Sequence, residues 1–151
     1  MTELKRILLA EDNANDVELT LSALADSNLA NEVVVARDGA EALDYLFRRG
    51  QFAERPAGNP AVVLLDLKMP KVDGLEVLRQ VKADPELRTI PIVVLTSSRE
   101  EGDLVSSYNL GVNAYVVKPV DFSAFIEAVK QLGVFWAVIN EPPPGTLRRR
   151  V

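Results

Sequence analysis

The chain reads as a doubly wound α/β domain, a (βα)5 unit whose single parallel sheet has strand order 2-1-3-4-5. Two observations predict it. Short apolar runs recur at 7–10, 33–36, 61–65, 92–95 and 114–117 of the 151 residues. They are apolar at consecutive positions, as strands buried on both faces require. Between them lie longer segments of helical periodicity, so strand and helix alternate five times. Each crossover must return over the sheet with a right-handed turn, which places helices on both faces.

In chain order, the first strand is followed by the acids Glu11 and Asp12, and then by a helix with Val17, Leu21 and Leu24 on one face. The second strand leads through Asp38-Gly39 to a helix with Ala42, Leu43, Leu46 and Phe47 inward. Residues 50–60 hold two prolines and two glycines and read as a loop. The third strand ends on Asp66. Asp73-Gly74 opens the next helix, with Leu75, Leu78 and Val81 on its core face, and Asp84-Pro85 ends it. Leu104, Val105 and Tyr108 mark the inner face of the fourth helix, closed by Gly111. The fifth helix has the clearest stripe: Phe122, Phe125, Ile126, Val129 and Leu132. After Gly133, residues 134–139 are apolar around the whole helix. We expect one domain over 1–140 with an extended last helix, and a Pro-rich, basic tail over 141–151. With 19 residues after Leu132, no fused effector domain is expected.

Composition narrows the function. The formal net charge is −5, and Arg148, Arg149 and Arg150 supply three of the positive charges, so the preceding residues are more acidic still. That is a poor surface for nucleic acid, and no nucleic-acid partner is expected. The chain has no cysteine and no histidine. Disulfides, thiolate chemistry, His ligation and His acid/base catalysis are therefore excluded within it. No run of about 20 apolar residues occurs, and the first 30 residues lack signal-peptide character, so a cytoplasmic protein without a membrane partner is expected.

Glu11, Asp12 and Asp66 stand at the carboxyl ends of strands that neighbour one another in this topology, the edge where open α/β sheets bind ligands. Carboxylates crowded there repel one another unless a cation sits between them. The natural partner is a hard ion, Mg2+ or Mn2+. Helix capping is the alternative for such acids and amides, and it is the better reading for Asn13 and Asn15. An EF-hand calcium loop fails because Ala14 breaks its alternation of oxygen ligands.

With that acid pair, Leu64-Leu65-Asp66-Leu67-Lys68-Met69-Pro70, Asp73-Gly74, Thr96-Ser97-Ser98 and Lys118-Pro119 resemble, in order and position, the receiver domain of bacterial two-component response regulators, a flavodoxin-like fold. The resemblance covers about residues 4–133. It implies that Asp66 is the phosphoacceptor and that Glu11, Asp12, Asp66 and the Lys68 backbone carbonyl hold the metal. It implies further that Thr96 and Lys118 meet the phosphoryl group, that Tyr115 is the aromatic switch, and that Lys68 and Ser98 tune the phosphoryl lifetime. Taken singly, Thr96 could cap a helix, Lys118 could be solvated and Tyr115 could be core.

The phosphodonor implied is a sensor histidine kinase. The loop at 50–60, the Phe135-Trp136 pair and residues 113–121 look like stand-alone regulators paired with phytochromes, so a bacteriophytochrome is the expected kinase. Output is expected through protein contact. The apolar run after Gly133 suggests a homodimer through the fourth helix, fifth strand and fifth helix, with Phe135 and Trp136 as anchors. Other readings are a pseudo-receiver that dimerises without phosphorylation, a haloacid-dehalogenase-type phosphatase and a flavodoxin-like cofactor binder. The second needs an aspartate where Lys68 stands. The third needs a phosphate-binding loop where Glu11 and Asp12 stand.

Overall fold

Strands of mostly apolar residues suit a sheet covered on both faces, and here five strands pair in parallel in the order β2-β1-β3-β4-β5. The computed structural model describes residues 6–25, 32–107 and 114–133. Its strands are β1 (Arg6–Ala10), β2 (Glu32–Ala36), β3 (Val62–Asp66), β4 (Ile92–Thr96) and β5 (Ala114–Val117). The helices are α1 (Ala14–Ala25), α2 (Gly39–Phe47), α3 (Gly74–Ala83), α4 (Arg99–Ser107) and α5 (Phe122–Gln131). Every residue of β3 and β4 is buried. Strand order and element sequence are those predicted.

Alternation along each strand sorts the core into two halves. Leu8, Ala10, Val63, Leu65 and Val94 pack with Ala42, Leu43 and Leu46 of α2 and Val77, Leu78 and Val81 of α3. Ile7, Leu9, Val62, Leu64, Val93 and Leu95 face the other way, onto Val17 and Leu24 of α1 and Phe125, Ala128 and Val129 of α5. Phe125 is fully buried, as expected of the strongest stripe.

Each helix starts on a side-chain acceptor for its unpaired N–H groups. Asp38 accepts from Glu41 N, Asp73 from Glu76 N and Asp121 from Ala124 N. Asn13 accepts from Asp16 N at 2.9 Å, and Ser98 from Glu101 N at 3.2 Å. The capping role read for Asn13 therefore holds, and Ser98 rather than Thr96 caps α4.

Two expectations change. Residues 50–60 are not a bare loop: Gly50–Phe52 form a 3-10 turn, and Arg55 gathers the segment. Its guanidinium donates to the carbonyls of Tyr45 (2.7 Å), Pro56 (2.8 Å) and Gly58 (2.9 Å) and lies 4.2 Å above the Tyr45 ring. Leu104, read as core, is 54% exposed. The first turns of α4 are tied to Ser97 and Tyr115 by hydrogen bonds. Tyr108, Gly111, the apolar run 134–139 with Phe135 and Trp136, and the tail 141–151 lie outside the described residues. Among the described residues no helix is long and apolar enough to cross a membrane.

Candidate phosphoryl and metal site

Polarity begins where four strands end. Glu11 follows β1, Asp66 is the last residue of β3, Thr96 the last of β4, and Lys118 follows β5. The parallel register sets Asp66 beside Leu95 and Thr96 beside Val117, which brings these ends to one edge. Gly74 lets the chain after β3 turn back tightly. A Cβ there would stand 2.4 Å from the Asp66 carbonyl oxygen, so only glycine fits.

Glu11 is fully buried, and its amide donates to Ala36 O of β2 at 2.9 Å. Asp66 is buried and Asp12 exposed, and one carboxylate oxygen from each of the three lies within 4.8 Å of the others. Burial pushes the Glu11 carboxyl up to about 7, and its hydrogen bond with Asp66 pushes the same way. The Asn13 amide and the Lys118 charge pull it back only in part. An all-oxygen set so crowded that one acid tends to hold a proton is relieved by a hard divalent cation, so these residues fit Mg2+ or Mn2+.

The Lys118 ammonium, 19% exposed at its side chain, donates to three carboxylates: Asp16 Oδ2 at 3.1 Å, Glu11 Oε1 at 3.2 Å and Asp66 Oδ2 at 3.3 Å. Burial pulls its pKa down. The bond to Asp16 and the charges of Asp66 and Glu11 outweigh that and hold it above the ordinary lysine value. Lys118 is thus a built part of the site and not a solvated charge. Thr96 is wholly buried, and its hydroxyl is the one buried side-chain polar atom among the described residues without a hydrogen-bond partner. Buried polar groups are normally paired, so this one marks a place for an incoming acceptor.

The remaining candidates ring the edge. The Lys68 amide donates to Asp66 Oδ1 at 3.3 Å, while its exposed ammonium reaches Glu101 Oε2 at 3.5 Å. Glu101 also accepts from Ser97 N and Ser97 Oγ, at 3.1 and 3.2 Å. Tyr115 is half-buried, with its ring against Gly102, where a Cβ would come within 2.4 Å of it. Its hydroxyl donates to Asp103 Oδ1 at 3.0 Å. Sequence reasoning missed Asp16, Glu101, Gly102 and Asp103. The available signal for Asp16 was its place in the first turn of the helix that follows the acid pair.

Residues 7–130 match the family model of the response regulator receiver domain. The chain belongs to that family. Among relatives of this receiver, response regulator Rcp1 of Synechocystis sp. (strain ATCC 27184 / PCC 6803 / Kazusa) is 39% identical over 132 residues, spanning 87% of this chain and 88% of Rcp1. The solved bacteriophytochrome response regulator AtBRR is 67% identical and superposes with a TM-score of 0.88, over 93% of the receiver and 100% of AtBRR. The Mn2+-bound form of Rcp1 superposes at a TM-score of 0.70, with 39% identity over 88% of this chain and 94% of that one. The phosphorylated cyanobacterial phytochrome response regulator RcpA gives a TM-score of 0.70 and 46% identity, over 89% of this chain and 94% of that one. The receiver is thus related to phytochrome-associated response regulators.

Proposed function

We propose that the protein is a stand-alone phosphorylation switch in which Asp66 accepts a phosphoryl group from a sensor histidine kinase. The observation that carries this reading is the Asp66 carboxylate at 3.3 Å from the Lys118 ammonium, beside the strand that ends in the unpartnered Thr96 hydroxyl. A carboxylate oxygen of Asp66 forms a bond to phosphorus as the bond from phosphorus to the donor nitrogen breaks. The electron pair stays on that nitrogen. Lys118 pairs with a phosphoryl oxygen, and the Thr96 hydroxyl donates to another, completing its own hydrogen bonding. Neither contribution moves a proton, in keeping with a chain that lacks histidine. Glu11, Asp12, Asp66 and the Lys68 carbonyl are the residues that would hold Mg2+ or Mn2+, whose charge offsets that of the phosphoryl oxygens. Lys68 and Ser98 border the group and set its lifetime against water.

The kinase is proposed to be of the phytochrome type, on the strength of the 67% identity to a bacteriophytochrome response regulator. Output runs through protein contact. The exposed Leu104 of α4 and Val117 of β5 support a homodimer through the α4-β5-α5 face, for which Phe135 and Trp136 are the proposed anchors. Intact mass after treatment with a small phosphoramidate and Mg2+ tests the chemistry. Wild type should gain one labile phosphoryl group, and Asp66→Asn or a metal-free sample none. Sedimentation of wild type against Trp136→Ala tests the dimer; two monomers at micromolar concentration would refute it.

A further inference from the structure

Lys118 has three N–H donors, and all three are engaged, each by a carboxylate from a different element. Glu11 comes from the end of β1, Asp66 from the end of β3 and Asp16 from the first turn of α1. These partners are not equivalent. Glu11 and Asp66 also belong to the carboxylate group whose oxygens lie within 4.8 Å of one another, and Asp16 does not. Asp16 nonetheless makes the shortest of the three bonds, at 3.1 Å. Its backbone is fixed: its amide is held by Asn13 Oδ1, and the next residue, Val17, is 3% exposed.

Resting on the reading of Asp66 as phosphoacceptor, we propose that Asp16 is a positioning residue that keeps the Lys118 ammonium in place while its other two carboxylates change partners. Phosphoryl transfer redirects one Asp66 oxygen to phosphorus and brings new negative oxygens to the same edge. A bound cation draws on both Glu11 and Asp66. Asp16 alone among the lysine's partners takes no part in either event. A lysine head on a flexible four-carbon stem loses its direction quickly without such a tether. A misplaced charge loses much of its effect on the reaction. The charge-assisted bond is partly exposed to water, so the expected effect is moderate, about five- to tenfold on the phosphorylation rate.

The test is a double-mutant cycle on the full chain, timed by intact mass with a small phosphoramidate and Mg2+, over wild type, Asp16→Ala, Lys118→Ala and the double variant. A second readout is the rate at which a limiting amine-reactive reagent labels Lys118. We expect Asp16→Ala to slow phosphorylation, to cause no further loss in the Lys118→Ala background, and to speed labelling of Lys118. Asp16→Asn, which keeps an oxygen acceptor, should fall between wild type and Asp16→Ala. An Asp16→Ala rate equal to wild type, an equal loss in both backgrounds, or unchanged labelling overturns the proposal while leaving the phosphoacceptor reading intact. A wild type that gains no mass overturns both.

Discussion

Thr96 is the residue at which stability and function part company most sharply. Its hydroxyl is buried and unpaired. Leaving such a group unsatisfied costs roughly 1–3 kcal/mol. Thr96→Val keeps the shape and removes the unpaired group, so the melting temperature of the unphosphorylated protein should rise or hold. The same change should slow phosphoryl uptake, because the donor for a phosphoryl oxygen is gone. Calorimetry and the mass assay on one preparation decide it; a clear fall in melting temperature would mean that the hydroxyl already has a partner. Residues of this kind were only half legible in the sequence. Thr96 and Lys118 stand out at strand ends, but the acids that hold Lys118 lie 52, 102 and 107 positions away in the chain. No local pattern names such partners.

At the scale of elements, the start of α4 is fastened by polar contacts. Ser98 caps it, Glu101 ties it to Ser97 and Lys68, and Gly102 and Asp103 hold Tyr115. Gly102→Ala would drive a methyl group into the Tyr115 ring, where the spacing is 2.4 Å. Crowding of this sort costs about 1–3 kcal/mol. Denaturant unfolding of Gly102→Ala should register that loss, and the tyrosine should turn away from Asp103. Tyr115→Phe, which lacks the hydroxyl, should relieve none of the crowding. Periodicity revealed the strands and the faces of α1, α2, α3 and α5, because burial on a sheet imposes itself residue by residue. It misread Leu104, which is exposed, on a helix whose first turns make polar contacts that leave no apolar period. Arg55 was invisible for the same reason: an arginine that pairs with backbone carbonyls leaves no trace in hydropathy.

For the molecule as a whole, the acid edge links stability to pH. The Glu11 carboxyl, at about 7 in the fold against an ordinary 4.5, keeps a proton in the folded state that the unfolded chain gives up. Its contribution is therefore fully present below 4.5 and is lost as the pH rises through 7. Metal-free protein should lose melting temperature between about pH 4.5 and about pH 7, and Glu11→Gln should flatten that part of the curve. Protons and cation compete for the same carboxylates, so Mg2+ should stabilise the protein more at the upper end of that range than at the lower. A Mg2+ increment that does not vary with pH would show that Glu11 lies outside the cation's reach.

The strand that carries Asp66 is paired on both sides and buried at all five positions. Amide hydrogens in such a strand exchange with solvent only when the whole fold opens. Asp66 should thus ride on one of the slow-exchanging central strands, while Lys68, Ser97 and Ser98 sit on the connecting segments after β3 and β4. In an exchange experiment, β3 should keep its deuterium label unchanged on phosphorylation, and the differences should appear around it. If Asp66 is phosphorylated, the new bond would form on a strand held from both sides, like a strike on an anvil, and the signal would be read from what rearranges nearby.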